Sequence, residues 1–484
     1  WTIGCLLMFM YMNNLVKGTK FPSTAQAPRY RVYLGVGSNL GDRYENVRQG
    51  VDLLCGHGDV RLVSTSFFHQ TAPMYLEDQP PFLNAAMELE TCLAPHKMLE
   101  RLKSVEGILG RNFSEVRNGP RPLDLDILLY DELEDDNWNP LTVDSANLVV
   151  PHPRMEEREF VLTPLREVAG SSHIQPVLNQ TIDNLHGSMP LSESPPAIRV
   201  LPLPRNRMIS FNETIIMGIL NTTPDSFSDG GKWDRSVAQA VDHALQMEKD
   251  GASIIDIGGE STRPGAKEVV EEEELRRTVP VITAIREVSD IPISIDTRHA
   301  RVARAAVEAG ADIVNDVSGG NHDPNMLLTV AELGVPLVLM HMRGTPETMT
   351  SLTQYDDVTI EVAESLRARI RAAEDAGVPK WLQIVDPGIG FAKDLNGNLK
   401  LLKHLNIIRS TVGDVPLMLG TSRKGFLGKL TGVENASDRD FATVASMVAP
   451  LCLEGRAPTC NILRVHNVAA TRQAVKVMDA IKRG

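Results

Sequence analysis

The stretch Met418-Leu-Gly-Thr-Ser-Arg-Lys-Gly425 limits the fold more than any other. A short apolar run stops abruptly at a hydroxyl, a guanidinium and an ammonium group. In an α/β barrel the strands fill the core and their carboxyl ends carry the chemistry, so a barrel chain must repeat this pattern. Comparable runs end at Asn221, Asp256, Asp296, Asn315 with Asp316, His341, Asp386, Ser422 to Lys424, and Arg464 with His466. They predict eight strands, over 214–221, 253–258, 292–296, 312–316, 336–341, 382–386, 416–422 and 461–466, with helices such as 236–249 and 298–309 between them. Polar groups at every strand end are hard to assign to packing alone. The acidic run Glu271 to Glu274 reads as a solvated helix start.

A barrel takes about 250 residues, and this chain has 484. Residues 29–186 carry a different pattern: strands over 31–39, 60–69, 82–89 and 123–130, with helices over 40–54 and 95–109. That β-α-β-β-α-β order is the ferredoxin-like arrangement. The fold class is therefore α/β, an N-terminal ferredoxin-like α+β domain followed by a TIM (β/α)8 barrel at 208–484. Residues 187–207 hold five prolines and no apolar period, and read as a semi-extended spacer. Residues 1–28 hold no acid and read either as an organelle transit peptide or as a disordered tail. The apolar run from Ile3 to Met12 is too short to span a bilayer. A formal charge of −13 argues against a nucleic-acid binder. Cys5, Cys55, Cys92, Cys452 and Cys460 form no C-x-x-C and read as buried thiols in a reducing compartment.

Two groups of residues carry chemistry. Asp124 and Asp126 are two apart on a strand, so both carboxylates project from one face, while Leu123, Leu125, Ile127 and Leu129 supply the core face. Adjacent carboxylates repel unless a cation bridges them, and Mg²⁺ takes such oxygen ligands together with substrate phosphates. Arg111, Arg117 and Arg121 nearby suit phosphate oxygens. In the barrel, Arg464 and His466 again share a face, and with Asn221 on the adjoining strand they make an anion or Mg²⁺–phosphate site. Asp256, Asp296, Asn315, Asp386 and Lys424 surround the centre, where Asp386 suits the donors of a flat heterocycle and Lys424 a ring carbonyl or nitrogen.

Gly35-Val-Gly-Ser-Asn39, Arg117-Asn-Gly-Pro-Arg-Pro-Leu-Asp-Leu-Asp126 and Val150-Pro-His-Pro153 resemble the motifs of 6-hydroxymethyl-7,8-dihydropterin pyrophosphokinases. The resemblance implies transfer of pyrophosphate from ATP to the pterin hydroxymethyl group. It places the metal on Asp124 and Asp126, ATP on Glu106, Arg111, Arg121, His152 and Arg158, and the pterin between Thr71, Pro73, Phe82, Asn84 and Phe160. Phe113 and Asn118 stand where bacterial members often carry arginine and an aromatic residue. From Met208 to Lys482 the chain resembles dihydropteroate synthase, through Gly218 to Asp229, Gly258 to Gly265, Asp386 to Phe391 and Ser422 to Gly425. That family joins p-aminobenzoate to the pterin methylene and expels pyrophosphate. The likeness implies pterin on Asp256, Asp296, Asn315, Asp386 and Lys424, and pyrophosphate with Mg²⁺ on Asn221, Arg464 and His466. It implies aminobenzoate against Thr262, Arg263, Pro264, Phe391 and Ser422, with Phe227 on a closing loop.

The product of the first domain is then the substrate of the second, in folate biosynthesis. The partners implied are small molecules, with neither nucleic acid nor membrane, and a homo-oligomer built through the barrel. Three alternatives stand beside this reading: a corrinoid-type methyltransferase barrel, a non-catalytic pterin binder, and an enzyme with one active half. The two-domain form is similar to plant enzymes, which implies the mitochondrial matrix, with the cytosol as the alternative.

Overall fold

The structure, a computed structural model, describes residues 29–114, 118–189, 195–222, 233–452 and 460–483. The chain divides into two compact units, the first comprising residues up to Asn212 together with Asp375–Trp381, the second Glu213–Glu374 and the residues from Leu382.

The first unit runs β1 (Tyr30–Ser38), α1 (Arg43–Cys55), β2 (Val60–Thr65), β3 (Phe68–Thr71), β4 (Phe82–Thr91), α2 (Pro95–Ile108) and β5 (Asp124–Glu134). β1 lies between β4 and β5, antiparallel to both, and β2 and β3 both pair with β4. This is the ferredoxin-like order. Asp42 caps α1 by accepting from the Glu45 amide, and α2 opens on Pro95, where a missing N–H costs nothing. Leu123, Leu125, Ile127 and Leu129 are all at most 5% exposed, so the aspartates between them face the other way.

Two expectations need correction. The strand read over 60–69 breaks at Ser66 and Phe67. The Ser66 hydroxyl accepts the Ala86 amide, and the Glu167 carboxylate accepts the Phe67 amide at 2.8 Å. The stretch read as a spacer, 187–207, contains β7 (Ile198–Leu203), after a short β6 (Asn137–Pro140) has formed a hairpin with β5. β7 pairs with β3, and β8 (Arg207–Ser210) extends the same sheet. Glu167, on α3 (Glu159–Ala169), explains the docking: its Oε1 accepts from Arg199 at 2.8 Å and lies 3.2 Å from His69 Nε2. These partners overcome the cost of burial and hold the Glu167 carboxyl at about 2. Its ion-pair contribution to stability is complete at neutral pH and is lost as pH falls through that value.

The second unit is the expected barrel. Its strands are β9 (Ile215–Asn221), β10 (Ile254–Gly258), β11 (Ile293–Asp296), β12 (Ile313–Asp316), β13 (Leu337–Met340), β14 (Gln383–Asp386), β15 (Met418–Leu419) and β16 (Ile462–Val465). All pair in parallel, β9 lies beside β16, and a single bridge between Val385 and Leu417 joins the remaining edges. Almost every strand residue is buried, as a sheet covered on both faces requires. β15 is shorter than 416–422, and at its start the Asn461 side chain, rather than a strand carbonyl, accepts the Leu417 amide at 3.0 Å. Glu271 to Glu274 do open a helix (Glu271–Arg286), but Glu274 is fully buried rather than solvated. Cys55 and Cys92 are only half-buried, whereas Cys460 is buried. Among the described residues no helix is long and apolar enough to cross a membrane.

Candidate active sites

In the first unit a cavity of about 510 Å³ opens over β1, β4 and β5. Thr71, Phe82, Asn84, Arg111, Arg121, Asp124, Asp126, His152, Arg158 and Phe160 all line it. Two expected contacts do not. Pro73 is absent from the lining, and Met74 and Tyr75 stand there instead. Glu106 is fully buried beneath the cavity, where it accepts the Leu125 amide at 2.8 Å and pairs with Arg111 at 2.7 Å. It holds β5 and an arginine from behind the lining.

The electrostatics separate the two aspartates. Burial works to raise the Asp124 carboxyl, but Arg121 at 2.7 Å and Arg111 at 2.5 Å hold it below its ordinary value. Asp126 is pushed up to about 6 by burial and by the charge of Asp124 beside it. A carboxylate that binds a proton so readily is short of positive charge. A hard divalent cation supplies that charge, and the two-carboxylate oxygen set fits Mg²⁺. His152 is lowered to about 4 by burial and by Arg158 and Arg154, so it is neutral at pH 7. Its Nδ1 accepts the Arg154 amide at 3.1 Å.

The aromatic groups lie where a flat heterocycle fits. The Arg121 guanidinium sits 5.1 Å from the Phe82 ring centre and that of Arg158 5.7 Å from the Phe160 ring centre. Asn84 donates to the Thr71 hydroxyl at 2.8 Å. Gly37 lets this amide approach the strand, because a Cβ there would meet Asn84 Oδ1 at 2.8 Å. We expect Gly37→Ala to weaken pterin binding roughly tenfold and to cost about 1–3 kcal/mol of stability. Calorimetric titration with the pterin and thermal unfolding read the two effects; unchanged affinity would remove Asn84 from the pocket.

Asn39, quoted in a motif but given no role by the sequence, holds the rim. Its Oδ1 accepts the Arg121 amide at 2.9 Å, and its Nδ2 donates to Gln79 and to the Pro80 carbonyl at 3.0 Å. Gln79 in turn donates to the Asn118 carbonyl, and Asn118 sits at φ 66°, a backbone region that asparagine tolerates better than a bulky aromatic. Phe113 is exposed, with Arg111 5.4 Å from its ring centre.

In the second unit the strand ends converge on Arg464. Its Nε donates to Asp256 and its Nη2 to Asp296, both at 2.6 Å. Asn315 reaches the same Asp256 carboxylate at 3.2 Å. Burial and Asp256, against the pull of Arg464, raise the Asp296 carboxyl to about 7. Asp386 accepts the Gly388 amide at 2.7 Å and is raised by burial, against the pull of Lys424. Lys424 donates to the Ile389 carbonyl, lies 4.3 Å from the Phe391 ring centre, and is lowered to about 8, chiefly by burial. Ser422 Oγ lies 2.8 Å from His466 Nδ1, and burial together with Arg423, Arg464 and Arg263 lowers His466 to about 3. Asn221 ends β9 beside Gly258. Thr262 is half-buried, and Arg263 and Pro264 are exposed on the loop after β10. Phe227 and Arg117 lie outside the described residues.

Two positioning groups were given no role by the sequence reading. Arg423 has φ 59° and is held by Asp440 through Nε at 2.7 Å and Nη2 at 3.0 Å, which aims its neighbours Ser422 and Lys424. Lys393 is buried and donates to His341 Nδ1 and the Gly388 carbonyl at 3.0 Å, and to the Phe391 carbonyl at 2.8 Å, fixing the loop after β14. Lys393 stands at no strand end, and Arg423, although inside the Ser422 to Lys424 run end, is held by a distant aspartate that the strand-end pattern could not show.

Comparison with known proteins matches residues 33–170 to the family described as 7,8-dihydro-6-hydroxymethylpterin-pyrophosphokinase and residues 217–466 to pterin binding enzyme. The chain is 43% identical to a mitochondrial folate synthesis bifunctional protein of Arabidopsis thaliana, over 95% of this chain and 84% of that one. It is 40% identical to a mitochondrial protein of the same description from Pisum sativum, over 93% and 89%. Among solved structures, Xanthomonas albilineans dihydropteroate synthase with 4-aminobenzoic acid is 44% identical over 58% of this chain and 97% of that one, with a TM-score of 0.53.

Proposed function

The chain belongs to the folate synthesis bifunctional proteins, and from that premise we propose how its residues divide the two reactions. The observation that carries the reading is the arrangement of two separate charged centres: a carboxylate pair ringed by arginines over the first sheet, and an arginine held by two aspartates at the barrel mouth.

In the first unit Phe82 and Phe160 sandwich the pterin, Asn84 and Thr71 bond its edge, and Arg121, Arg158 and neutral His152 receive ATP. Asp124 and Asp126 would hold Mg²⁺, which would supply positive charge to the transferring pyrophosphoryl group. Arg111 and Arg121, now paired with Asp124, turn from that carboxylate to the phosphate oxygens as the ligands enter. Glu106 holds Arg111 ready for that exchange.

In the barrel, Asp256, Asn315 and Asp386 bond the amidine-like edge of the pterin and Lys424 its ring carbonyl or nitrogen. Loss of pyrophosphate leaves a cation on the pterin methylene, delocalised into the ring. Arg464, His466 and Asn221 hold the departing anion, and Arg464 reaches it by loosening one of its two aspartate bonds. Asp296, whose affinity for a proton is raised to about 7, remains beside the cation and stabilises it when ionised. The amine of p-aminobenzoate, held between Phe391, Ser422 and the loop of Thr262, Arg263 and Pro264, then attacks. Lys424 donates only while protonated, so we expect synthase kcat/KM to fall about tenfold per pH unit above about 8. A pH profile with preformed pterin pyrophosphate reads this limb, and its survival in Lys424→Met would assign it to another group.

We place the protein in the mitochondrial matrix, because the Arabidopsis and pea relatives are mitochondrial proteins. Fractionation of the source cells tests this, and recovery in the cytosol alone would refute it. The function itself is tested by supplying purified protein with ATP, Mg²⁺, hydroxymethyl-dihydropterin and p-aminobenzoate. AMP and dihydropteroate rising together support both roles. AMP without dihydropteroate, even from added pterin pyrophosphate, would assign the barrel a different acceptor.

A further inference from the structure

We propose that Glu268, His299 and His322 form a binding site for a zinc-class divalent ion, separate from both substrate sites. The three follow successive barrel strands, β10, β11 and β12, and their ligand atoms all lie within 4.8 Å of one another. Glu268 Oε1 is 3.4 Å from His299 Nε2 and 3.0 Å from His322 Nε2. Ligands about 2.0–2.1 Å from a tetrahedral zinc ion lie roughly 3.3 Å from each other, so two of the three spacings already match. The third, between the two imidazole nitrogens, is within 4.8 Å and closes by a small rotation of the partly exposed His322 ring, while the exposed Glu268 carboxylate follows.

The surroundings are those of a metal histidine. A liganding imidazole commonly gives its other ring N–H to a carboxylate, which fixes the ring and its tautomer. His299 Nδ1 lies 2.8 Å from Oε2 of Glu274, which is fully buried, and His299 is itself 7% exposed. This accounts for an acidic residue driven into the core at the start of a helix, for which neither reaction has a use. His322 lines a second cavity of about 260 Å³, which provides an entry path and room for water at the fourth position. One contact opposes the site. Arg298 Nη1 is 3.5 Å from His322 Nδ1, although Glu260 engages the same guanidinium at 2.8 and 2.9 Å. That makes Glu268 and His299 the stronger ligands. One carboxylate and two imidazole donors with an open position suit Zn²⁺ or Co²⁺ better than Mg²⁺, which prefers an all-oxygen shell. A bound ion ties the loop carrying Thr262 to Pro264 to the segments after β11 and β12.

The test is titration of the full chain with Co²⁺, followed by its visible d–d bands, and then displacement by Zn²⁺. Glu268 is exposed enough that Glu268→Gln folds, and Asp126→Asn removes competition from the kinase carboxylates. We expect Asp126→Asn to keep one site with four-coordinate band intensity, and Glu268→Gln with Asp126→Asn to bind cobalt about 100-fold more weakly. Zn²⁺ should raise the Tm of Asp126→Asn protein but not that of the double variant. Absence of a four-coordinate spectrum in Asp126→Asn, or equal affinity in the double variant, would overturn the proposal. Mg²⁺ displacing cobalt as readily as Zn²⁺ does would overturn it too.

Discussion

Asp126→Asn should reduce AMP formation at least about 10³-fold while dihydropteroate still forms at the normal rate from preformed pterin pyrophosphate. The substitution keeps the shape of the side chain and removes the charge that binds the cation. Its neighbour cannot compensate, because one carboxylate supplies neither the charge nor the oxygen ligands of the pair. The same change has an opposite effect on stability. An aspartate raised to about 6 when folded is a group whose ionisation opposes folding. The folded state holds the proton more tightly than the unfolded chain, so stability falls as pH rises from about 4 to about 6. Without Mg²⁺ at pH 7, Asp126→Asn should therefore gain on the order of 2 kcal/mol, and added Mg²⁺ should stabilise it less than the wild type. Equal loss of both activities in a folded variant would defeat the assignment of two separate sites.

Arg464→Ala should be the most damaging single change in the barrel. It removes the anion-binding guanidinium and leaves Asp256 and Asp296, both buried, without their shared cation. Removing one partner of a buried pair costs about 3–5 kcal/mol, and some of this is recovered as Asp296 takes up a proton. We expect synthase kcat/KM to fall by about 10²–10³, with a higher KM for pterin pyrophosphate, and AMP formation to be untouched. Arg464→Lys should recover part of the stability but little of the rate, since an ammonium group cannot span two carboxylates with two parallel bonds. Unchanged KM in Arg464→Ala would take the residue out of the pyrophosphate site.

The barrel was legible because its strands are buried on both faces and so read as plain apolar runs. Their polar residues mark the ends that carry chemistry: Asp296 and Asp386 close their strands, Asn315 and Arg464 stand one residue before the end, and Asp256 two. The first unit was legible where alternation is local, as in β5, with leucines on one face and two aspartates on the other. What stayed hidden depends on distant partners. β7 looked like a proline-rich spacer because Pro202 and Pro204 break the pattern, and only Glu167 on α3 and Arg199 explain its place in the sheet. Glu274 sat in a charge run that resembles any exposed helix start, and nothing near it in sequence announces His299. Motif likeness located Glu106 and Pro73 near the right cavity but did not settle whether they line it or lie behind it. Lys393 and Arg423 act by holding loops, a role that requires knowing which carbonyls and carboxylates lie within reach.

Two independent sites on one chain, joined by a shared intermediate, should be separable by mutation. Mixing the Asp126→Asn and Arg464→Ala proteins, each first shown to be folded, tests this most directly. Supplied with ATP, Mg²⁺, hydroxymethyl-dihydropterin and p-aminobenzoate, neither variant alone should make appreciable dihydropteroate, and the mixture should. Here the Arg464→Ala kinase supplies pterin pyrophosphate to the Asp126→Asn barrel. A mixture no more active than its components, or full activity in either variant alone, would contradict the account.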